Sequence, residues 1–401
     1  MTQVSSPDLA RLDQRHDLAL LDKEKGPAQT KESMCKEPGG NMDPINFNFL
    51  CSEPAMPNGR SVGIIGAGPS GLAATGYLSC LGYQVDVYDK LPKPGGLMLF
   101  GIPGYRIPKE RIDLGVRRLE REAGVVFHTH TKICCSGPLH DEEGDHFCRE
   151  ILGFGDMVKK HDAIIICTGS WRSRRLGIPG ENLSGVFSGL EFLFPIRAVK
   201  YSAPNVKLPD VQGRAVAVIG AGHSAIDVAH SAVHLGASKI FHIYRRTSRE
   251  APCGSFEIEQ LRGMGVEWLE RSTPLRILGE DRVQGMEISR PGKDGPETLV
   301  LPVDLVVAAI GETATPPFAK ELGLENVRKG EVRWLHMTAI ENVFVAGDAL
   351  SGPSKIGKAV YSGLRSARSL ANWLDLKAQD RLDAYDYNDL VTNEAGFGRQ
   401  A

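Results

Sequence analysis

The stretch Val62–Gly71 reads VGIIGAGPSG and decides the fold of this 401-residue chain. It opens with an apolar run that does not alternate with polar residues, which predicts a strand buried on both faces of a parallel sheet. Gly66, Gly68 and Gly71 follow in the G-x-G-x-x-G order. In this order the first glycine allows a tight turn, the second lets a pyrophosphate approach, and the third lets the next helix pack closely. The positive N-terminal end of that helix suits a diphosphate.

A carboxylate after the next strand strengthens this interpretation. A glycine turn alone is weak evidence, because many tight strand-to-helix turns bind nothing. Here a second strand, Gln84–Tyr88, ends at Asp89, about 20 residues beyond the glycines. A carboxylate at that place accepts hydrogen bonds from the ribose of an adenine dinucleotide. The sequence therefore favours a dinucleotide site over an empty turn.

The same arrangement recurs in a second copy. A strand at Ala215–Ile219 leads into the turn Gly220–Ala225, which has the G-x-G-x-x-A order. The following strand, Lys239–Tyr244, ends at Arg245 and Arg246 instead of a carboxylate. Arginines there accommodate a 2′-phosphate, so we expect NADP(H) rather than NAD(H). The alternative is a solvated surface pair.

Length and composition exclude several classes of protein. The length allows two or three domains, and the 42% hydrophobic and 24% charged residues are typical of a globular protein. A net charge of −2 provides no basic field for nucleic acid. Apolar runs such as Ala163–Cys167 are too short to span a bilayer. The N-terminus has no apolar signal core, so we expect a cytoplasmic protein.

The eight cysteines predict neither a disulfide scaffold nor a metal cluster. No C-x-x-C occurs in the chain, and Cys35 and Cys51 are too far apart for cluster ligands. We expect reduced thiols, with Cys253 as an inert one. Residues 136–160 contain His, Asp and Glu that could be imagined as a metal site. An exposed acidic loop is the favoured interpretation there, because no pair has the i, i+4 spacing of helical ligands.

Glycine-rich segments elsewhere add candidate contacts to a ligand. The loop from Lys90 to Met98 contains Gly95 and Gly96, which would let backbone press on a flat or phosphorylated ligand, although a plain loop is the alternative. His223 could contact a diphosphate or a nicotinamide, but the default is that it fills the turn. Near the end of the chain a strand ends in Gly-Asp, and Asp348 can accept a hydrogen bond from a sugar-like hydroxyl.

The hydrophobic pattern predicts the remaining elements. We expect an amphipathic helix at Asp8–Leu21 within an N-terminal extension. The other predicted helices are Lys109–Ala123, Glu191–Lys200 with an interruption at Pro195, Phe256–Gly263, and one from about Lys358. The other predicted strands are Val125–His128, His161–Ser170, Val266–Leu269, a hairpin of Leu275–Arg290 with Glu297–Val303, Asp304–Gly311, and one ending at Gly347.

Taken together, these segments resemble the two-dinucleotide-binding-domain flavoproteins, most closely the small subunit of bacterial NADPH-dependent glutamate synthase and its relatives. The resemblance covers Val62 to Leu374. It depends on VGIIGAGPSGLAA with Asp89, PGGLMLFGIPGYRIPKE, IICTGS, AVIGAGHSAIDVA with YRRTSRE, AAIGE, and VFVAGDALSGPSKIGKAVYSG. It implies an α/β fold of two Rossmann-like three-layer domains, with the NAD(P)H domain inserted into the FAD domain. The implied ranges are 1–57 for an irregular extension, 58–175 and 313–380 for the FAD domain, 176–312 for the NADP(H) domain, and 381–401 for a tail.

The resemblance also implies an activity. The protein would take a hydride from NADPH onto FAD and pass electrons to a partner iron–sulfur subunit or another protein acceptor. No catalytic residue and no metal ligand is assigned. The implied cofactor-binding residues are Gly66, Gly68, Pro69, Ser70, Gly71, Asp89, Lys90, Gly95, Gly96, Leu97, Thr168, Gly169, Gly220, Gly222, His223, Ser224, Ala225, Arg245, Arg246, Gly311, Gly347, Asp348, Gly357, Ala359 and Val360.

The N-terminus departs from the resemblance in one respect. Many relatives have a cysteine-rich segment there for iron–sulfur clusters, whereas only Cys35 and Cys51 precede the first glycine turn here. We therefore expect no internal cluster. Two alternatives stay open: a free-standing NAD(P)H-dependent reductase of a small molecule, and a non-catalytic FAD-binding assembly subunit. The lack of C-x-x-C argues against a disulfide substrate, and the second dinucleotide site argues against the assembly subunit.

Overall fold

The structure, a computed structural model, describes residues 47, 49–104, 106–134, 142–199, 208–313, 336–338 and 340–382. The helix expected at Asp8–Leu21, Cys35 and the tail beyond 382 lie outside these ranges. Within them, every helix is too short or too polar to cross a bilayer.

Two five-stranded parallel sheets form the frame. The first sheet contains β1 (Ser61–Ile65), β2 (Gln84–Tyr88), β3 (Val126–His128), β6 (Ala163–Ile166) and β17 (Val343–Val345), in the order β17-β6-β1-β2-β3. The second sheet contains β8 (Val186–Ser188), β9 (Ala215–Ile219), β10 (Lys239–Ile243), β11 (Glu267–Leu269) and β15 (Leu305–Ala308), in the order β11-β10-β9-β15-β8. Described residues 47–166 and 336–382 are called the first unit, and residues 186–308 the second unit.

Three smaller sheets complete the strands. The pair β4 (Thr131–Cys134) and β5 (Glu150–Gly153) is parallel, and the pair β7 (Arg172–Ser173) and β16 (Glu312–Thr313) is antiparallel. An antiparallel sheet contains β12 (Thr273–Leu278), β13 (Gly285–Pro291) and β14 (Pro296–Leu301). Because β7 and β16 come from the two segments that join the units, their pairing forms the connection.

The helices lie between the strands. Those of the first unit are α1 (Pro69–Cys80), α2 (Leu97–Phe100), α3 (Lys109–Ala123), α4 (Phe154–Lys160), α8 (Asp348–Ser351) and α9 (Ile356–Ala378). Those of the second unit are α5 (Gly189–Ala198), α6 (His223–His234) and α7 (Ser255–Gly263). Short 3₁₀ turns lie at Asp145–Phe147 and Ser248–Glu250.

Each large sheet is buried on both faces. In β1, Ile64 packs with residues of α1, α3 and α9, while Ile65 packs with Phe154 and Met157 on the other side. In β9, Val218 faces α6 and α7, and Ala217 faces the β12–β14 sheet. Two apolar faces explain why these strands lack polar alternation. The predicted α/β fold with two three-layer Rossmann-like units is confirmed.

Several local expectations were wrong. Pro195 does not interrupt its helix: α5 begins at Gly189 behind a Ser188–Glu191 capping box and continues through the proline. Proline removes one helical hydrogen bond, but burial of the neighbouring Phe192 and Phe194 outweighs that loss. In addition, the end of the loop expected from Lys90 to Met98 belongs to the one-turn helix α2. The hairpin expected between residues 275 and 303 is a sheet of three strands, β12 to β14.

The expectation of reduced thiols was wrong at Cys51, which forms a disulfide with Cys80 at the end of α1. The backbone N–H of Ala55 also donates to the carbonyl of Cys80 at 2.9 Å. The aromatic rings of Phe47 and Phe49 pack against the first core. The end of the N-terminal extension is therefore attached to the first unit. The sequence did not reveal the pairing because 29 residues separate the cysteines and no motif links them.

Candidate functional site

A cleft with a cavity volume of about 240 Å³ lies at the carboxyl ends of the first sheet's strands and opens toward the second unit. Ligands of open α/β sheets bind at such strand ends. The second unit contributes Leu190 and Leu193 of α5, and Ser224 and Asp227 of α6. Among the predicted cofactor-binding residues, the following line the cleft: Gly66, Gly68, Pro69, Ser70, Asp89, Lys90, Gly96, Leu97, Thr168, Gly169, Ser224, Asp348 and Ala359. The others do not line it: Gly71, Gly95, Gly220, Gly222, His223, Ala225, Arg245, Arg246, Gly311, Gly347, Gly357 and Val360.

The first glycine turn brings bare backbone to the cleft. Gly66 has a φ of +106°, and a Cβ there would lie 2.4 Å from the carbonyl oxygen of Cys167. At Gly68, by contrast, a Cβ would meet nothing within 4 Å, so the turn is open on its cleft side. Gly68 is also the N-cap of α1, where no side chain caps the helix. The N-terminal N–H groups of α1 are thus suited to an anion.

Three glycines from other segments pack closely around this turn. A Cβ on Gly96 would lie 2.8 Å from the Cα of Gly68, and one on Gly347 would lie 2.7 Å from the Cβ of Ser70. A Cβ on Gly363 of α9 would lie 2.1 Å from the carbonyl oxygen of Ser70. The glycines predicted from sequence at 96 and 347 therefore permit close approach of backbone to the start of α1.

Asp89 already supports the turn itself. Its Oδ2 accepts the N–H of Ala67 at 2.6 Å, and its Oδ1 accepts the N–H of Leu91 at 2.8 Å. Burial raises the pKa of this carboxyl, while the two N–H groups and Lys90 oppose the shift. Each carboxylate oxygen has further acceptor capacity. Asp89 can therefore hold the turn and still accept from a ribose hydroxyl.

The expectation of an exposed acidic loop at residues 136–160 was wrong at Glu142 and Asp145, whose side chains are buried. Lys90 Nζ lies 3.1 Å from Glu142 Oε2 and 3.1 Å from Asp145 Oδ1, and Lys132 Nζ lies 2.6 Å from Asp145 Oδ2. The four side chains are at most 10% exposed. Burial pushes the pKa of Asp145 up, but the two lysines outweigh it and hold the pKa below its usual value. Charge pairing makes burial of this segment possible.

Two further groups in the cleft are suited to a polar ligand. The hydroxyl of Thr168 is buried and has no hydrogen-bond partner within the described chain, which is costly unless a ligand or water supplies one. Asp348 accepts from the Ser354 hydroxyl at 2.5 Å, and burial raises the pKa of its carboxyl. An open helix N-terminus, an unpaired hydroxyl and acceptor carboxylates fit a ligand with a diphosphate and sugar hydroxyls.

The second glycine turn is packed against Ala309 on one side and is exposed to solvent at the start of α6. Gly220 has a φ of +128°, and a Cβ there would lie 2.2 Å from the carbonyl oxygen of Ala309. Gly222 is open on one side and is the N-cap of α6, again without a side-chain cap. His223 begins that helix and is exposed. Arg245 and Arg246 follow β10 and point to solvent, which leaves both guanidinium groups accessible to a ligand.

The remaining predicted residues have structural roles or lie beside the cleft. Ala225 is buried in the second core, and the carbonyl of Gly311 accepts the N–H of Arg174 at 2.9 Å. Cys253 is buried and its N–H donates to Ala221, while burial raises its thiol pKa. Among the described residues, no group of three His, Cys, Asp or Glu could hold a metal ion.

Sequence reasoning missed the charged residues Asp227 and Glu312 at the cleft. Asp227 is 5% exposed on α6 and pairs with Arg106 at 2.5 Å. Glu312 lines the cleft beside Asp348. The pKa of the Glu312 carboxyl is raised, mainly by burial and to a smaller extent by the negative charge of Asp348. The available signal for Asp227 was a carboxylate inside the apolar helical stretch AIDVA, since a buried charge needs a partner.

The comparisons with known proteins agree with this architecture. The family model for pyridine nucleotide-disulphide oxidoreductases matches residues 60–363. The glutamate synthase (NADPH) small chain of Halomonas elongata is 29% identical over 339 residues, which cover 79% of this chain and 68% of that one. The NADP(+)-dependent formate dehydrogenase subunit beta of Moorella thermoacetica is 30% identical over 378 residues, which cover 86% of this chain and 50% of that subunit. Mycobacterium tuberculosis FprA in complex with NADPH superposes with a TM-score of 0.62 at 19% identity, covering 85% of this chain and 90% of FprA.

Proposed function

This chain belongs to the pyridine nucleotide-disulphide oxidoreductase family, and we propose that it is an FAD-dependent oxidoreductase that takes hydride from NADPH and passes electrons to a partner iron–sulfur subunit or protein acceptor. One observation carries the proposal. The cleft has the first glycine turn on one wall and Ser224, from the second glycine turn, on another. Two dinucleotides bound at these turns can bring their reactive rings together in one space.

The residues of the first unit suit FAD. The open N-terminus of α1 and Gly68 hold a diphosphate, Asp89 accepts from a ribose, and Asp348 accepts from the sugar-like chain. The free hydroxyl of Thr168 supplies one more polar contact. When bound, FAD supplies a ring that accepts a hydride and releases electrons. The protein contributes position and electrostatics, so a general acid or base is not required.

The residues of the second unit suit NADPH. Gly222 and the uncapped start of α6 hold its diphosphate. A contact of His223 with the diphosphate or the nicotinamide stays a prediction. Arg245 and Arg246 bind the 2′-phosphate from the end of β10. The names of the formate dehydrogenase and glutamate synthase relatives specify NADP or NADPH, which supports this choice over NADH.

The electron acceptor is proposed to be a protein. The chain has no C-x-x-C that could serve as a dithiol relay. The two relatives are a small chain and a subunit of larger assemblies by name. A partner that holds an iron–sulfur cluster can take electrons singly from a reduced flavin.

Anaerobic titration of the purified protein with NADPH, and separately with NADH, tests the proposal. We expect the yellow flavin absorbance to bleach at a far lower concentration of NADPH than of NADH. A yellow protein that neither nucleotide bleaches would contradict the enzyme and leave the FAD-binding assembly subunit, and a colourless protein would contradict both. Equal bleaching by both would retain the enzyme and remove the NADP assignment.

Affinity purification of a tagged chain from its own cells tests the acceptor. We expect an iron–sulfur protein to co-purify and to be reduced by NADPH only when this chain is present. If the chain purifies alone and reduces small acceptors rapidly, the free-standing reductase replaces the proposal.

A further inference from the structure

The loop between α2 and α3 contains an arginine that binds two helices of the second unit. Arg106 Nε donates to Oδ1 of Asp227 on α6 at 2.5 Å, and its Nη1 donates to Oε1 of Glu257 on α7 at 2.9 Å. The three side chains are 24%, 7% and 16% exposed, so the pairs are partly shielded from solvent. One guanidinium group thus joins the first unit to two helices of the second.

A second arginine holds the same segment from the opposite direction. Arg197 of α5 is 6% exposed and donates from Nε to the carbonyl of Leu99 at 3.3 Å. Its guanidinium also packs on Gly104, where a Cβ would lie 2.8 Å from Nη1. Ile102 of this segment lines the cleft. Leu99, Gly104 and Arg106 therefore contact the second unit beside the cleft.

Asp227 connects the ion pairs of Arg106 to the cleft. This residue is three positions after Ser224, so both side chains lie on one face of α6, and both line the cleft. Removing one partner of a buried ion pair leaves an uncompensated charge and is unfavourable. Without Arg106, two carboxylates on α6 and α7 would face the first unit, which disfavours the closed arrangement.

We propose that Arg106 is a positioning residue, which holds the Ser224–Asp227 edge of α6 against the cleft so that a nicotinamide and a flavin meet in register. This inference rests on the proposed function for its consequence in catalysis. Its structural content, that one guanidinium sets the arrangement of the two units, stands on the contacts alone.

Measuring the distance between the units tests that structural content. Spin labels at Leu114→Cys in α3 and Val300→Cys in β14 use two exposed positions, one in each unit. The full chain carries them in a background in which Cys35, Cys135 and the partly exposed free thiol Cys148 are replaced by Ser. We expect pulsed EPR to give one narrow distance distribution for the parent and a broader or shifted one for Arg106→Met. Arg262→Met is the matched control, because the exposed Arg262 pairs with Glu259 of its own helix α7. An unchanged distribution in Arg106→Met would overturn the inference.

Stopped-flow reduction of the flavin by NADPH tests the consequence. We expect at least a tenfold lower limiting rate in Arg106→Met, because misplaced rings lose reactivity steeply, with a much smaller change in the NADPH concentration for half-saturation. Arg106→Lys should recover part of the rate. The double variant Arg106→Met/Asp227→Asn should be no slower than Arg106→Met, since both act through one pair. Additive losses, or an unchanged rate, would contradict the inference.

The two readouts separate this inference from the proposed function. If NADPH does not reduce the parent, the proposed function fails, and the distance distribution still decides whether Arg106 fixes the units. If Arg106→Met does not fold, Asp227→Asn keeps the side-chain shape, removes the charge, and is judged by the same distance measurement.

Discussion

The two glycine turns share a motif but are held in place by different chemistry. At the first turn, the Asp89 carboxylate accepts the N–H of Ala67. At the second, the ring of His242 in β10 bonds to the carbonyl of Gly220 at 2.7 Å, and an imidazole facing a carbonyl must donate. One turn therefore depends on a carboxylate that accepts a hydrogen bond from a backbone N–H, and the other on an imidazole N–H that donates a hydrogen bond to a backbone carbonyl.

The third motif position differs as well. In the first turn it is Gly71, where a Cβ would lie 1.9 Å from the carbonyl oxygen of Gly66. In the second it is Ala225, whose Cβ lies 3.5 Å from the place of a Cβ on Gly220. The start of α1 therefore approaches its turn more closely than the start of α6 does. The same motif thus tolerates different side chains according to how closely its helix approaches the turn.

Gly71→Ala should have the largest effect. The added Cβ would collide with backbone, which cannot move as a side-chain end would, so we expect a loss of more than about 4 kcal/mol in the free energy of unfolding, or no folded protein. Urea unfolding measures it. The reverse change in the other turn, Ala225→Gly, should cost only about 1 kcal/mol, from helix propensity. Equal losses in both variants would abolish the contrast between the turns.

Acid should weaken the second turn. Burial lowers the pKa of His242 from 6.5 to about 4, against the opposing effect of the Gly220 carbonyl. The unfolded chain therefore binds a proton at higher pH than the folded one, and stability is lost as pH falls from about 6.5 to about 4. The loss reaches about 3 kcal/mol. Urea unfolding across this range measures it, with His242→Gln as a variant that keeps a donor and does not titrate. The same pH dependence in the variant would contradict the assignment.

The local sequence pattern predicted the strands and glycine turns. The ion pairs that hold the site together join residues far apart in the sequence. Apolar runs and glycine spacing predict β1, β9 and both turns, because strand period and turn geometry are set within a few residues. Lys90 and Glu142 are 52 positions apart, and Arg106 and Asp227 are 121 apart. Such pairs depend on sheet order and on which faces meet, which local spacing does not encode.

Asp89 shows the same limit within a single site residue. The sequence indicated a carboxylate for a ribose, and the cleft includes this residue. The sequence did not indicate that both carboxylate oxygens of Asp89 also accept backbone N–H groups of the turn. A motif position predicts where a side chain lies more readily than how many partners that side chain serves.

Asp89→Ala should destabilise the first turn by a moderate amount. It leaves the N–H groups of Ala67 and Leu91 without their acceptor, and we expect a loss of about 2 kcal/mol in the free energy of unfolding together with weaker flavin retention. Urea unfolding and the flavin-to-protein absorbance ratio measure the two effects. Asp89→Asn, which keeps one acceptor oxygen, should lose less. If Asp89→Ala kept full stability and lost only flavin, the carboxylate would serve the ligand alone.

Arg245→Ala with Arg246→Ala should give the smallest effect on the fold and a selective effect on binding. Both side chains are exposed, so we expect a change in the free energy of unfolding within about 0.5 kcal/mol. Loss of the 2′-phosphate contacts should raise the NADPH concentration that half-bleaches the flavin about tenfold or more, which corresponds to about 1.4 kcal/mol. The NADH concentration should stay nearly constant, because NADH lacks that phosphate. An equal loss of affinity for NADPH and NADH would mean that the arginines support the second turn, as Asp89 supports the first, and do not bind the 2′-phosphate.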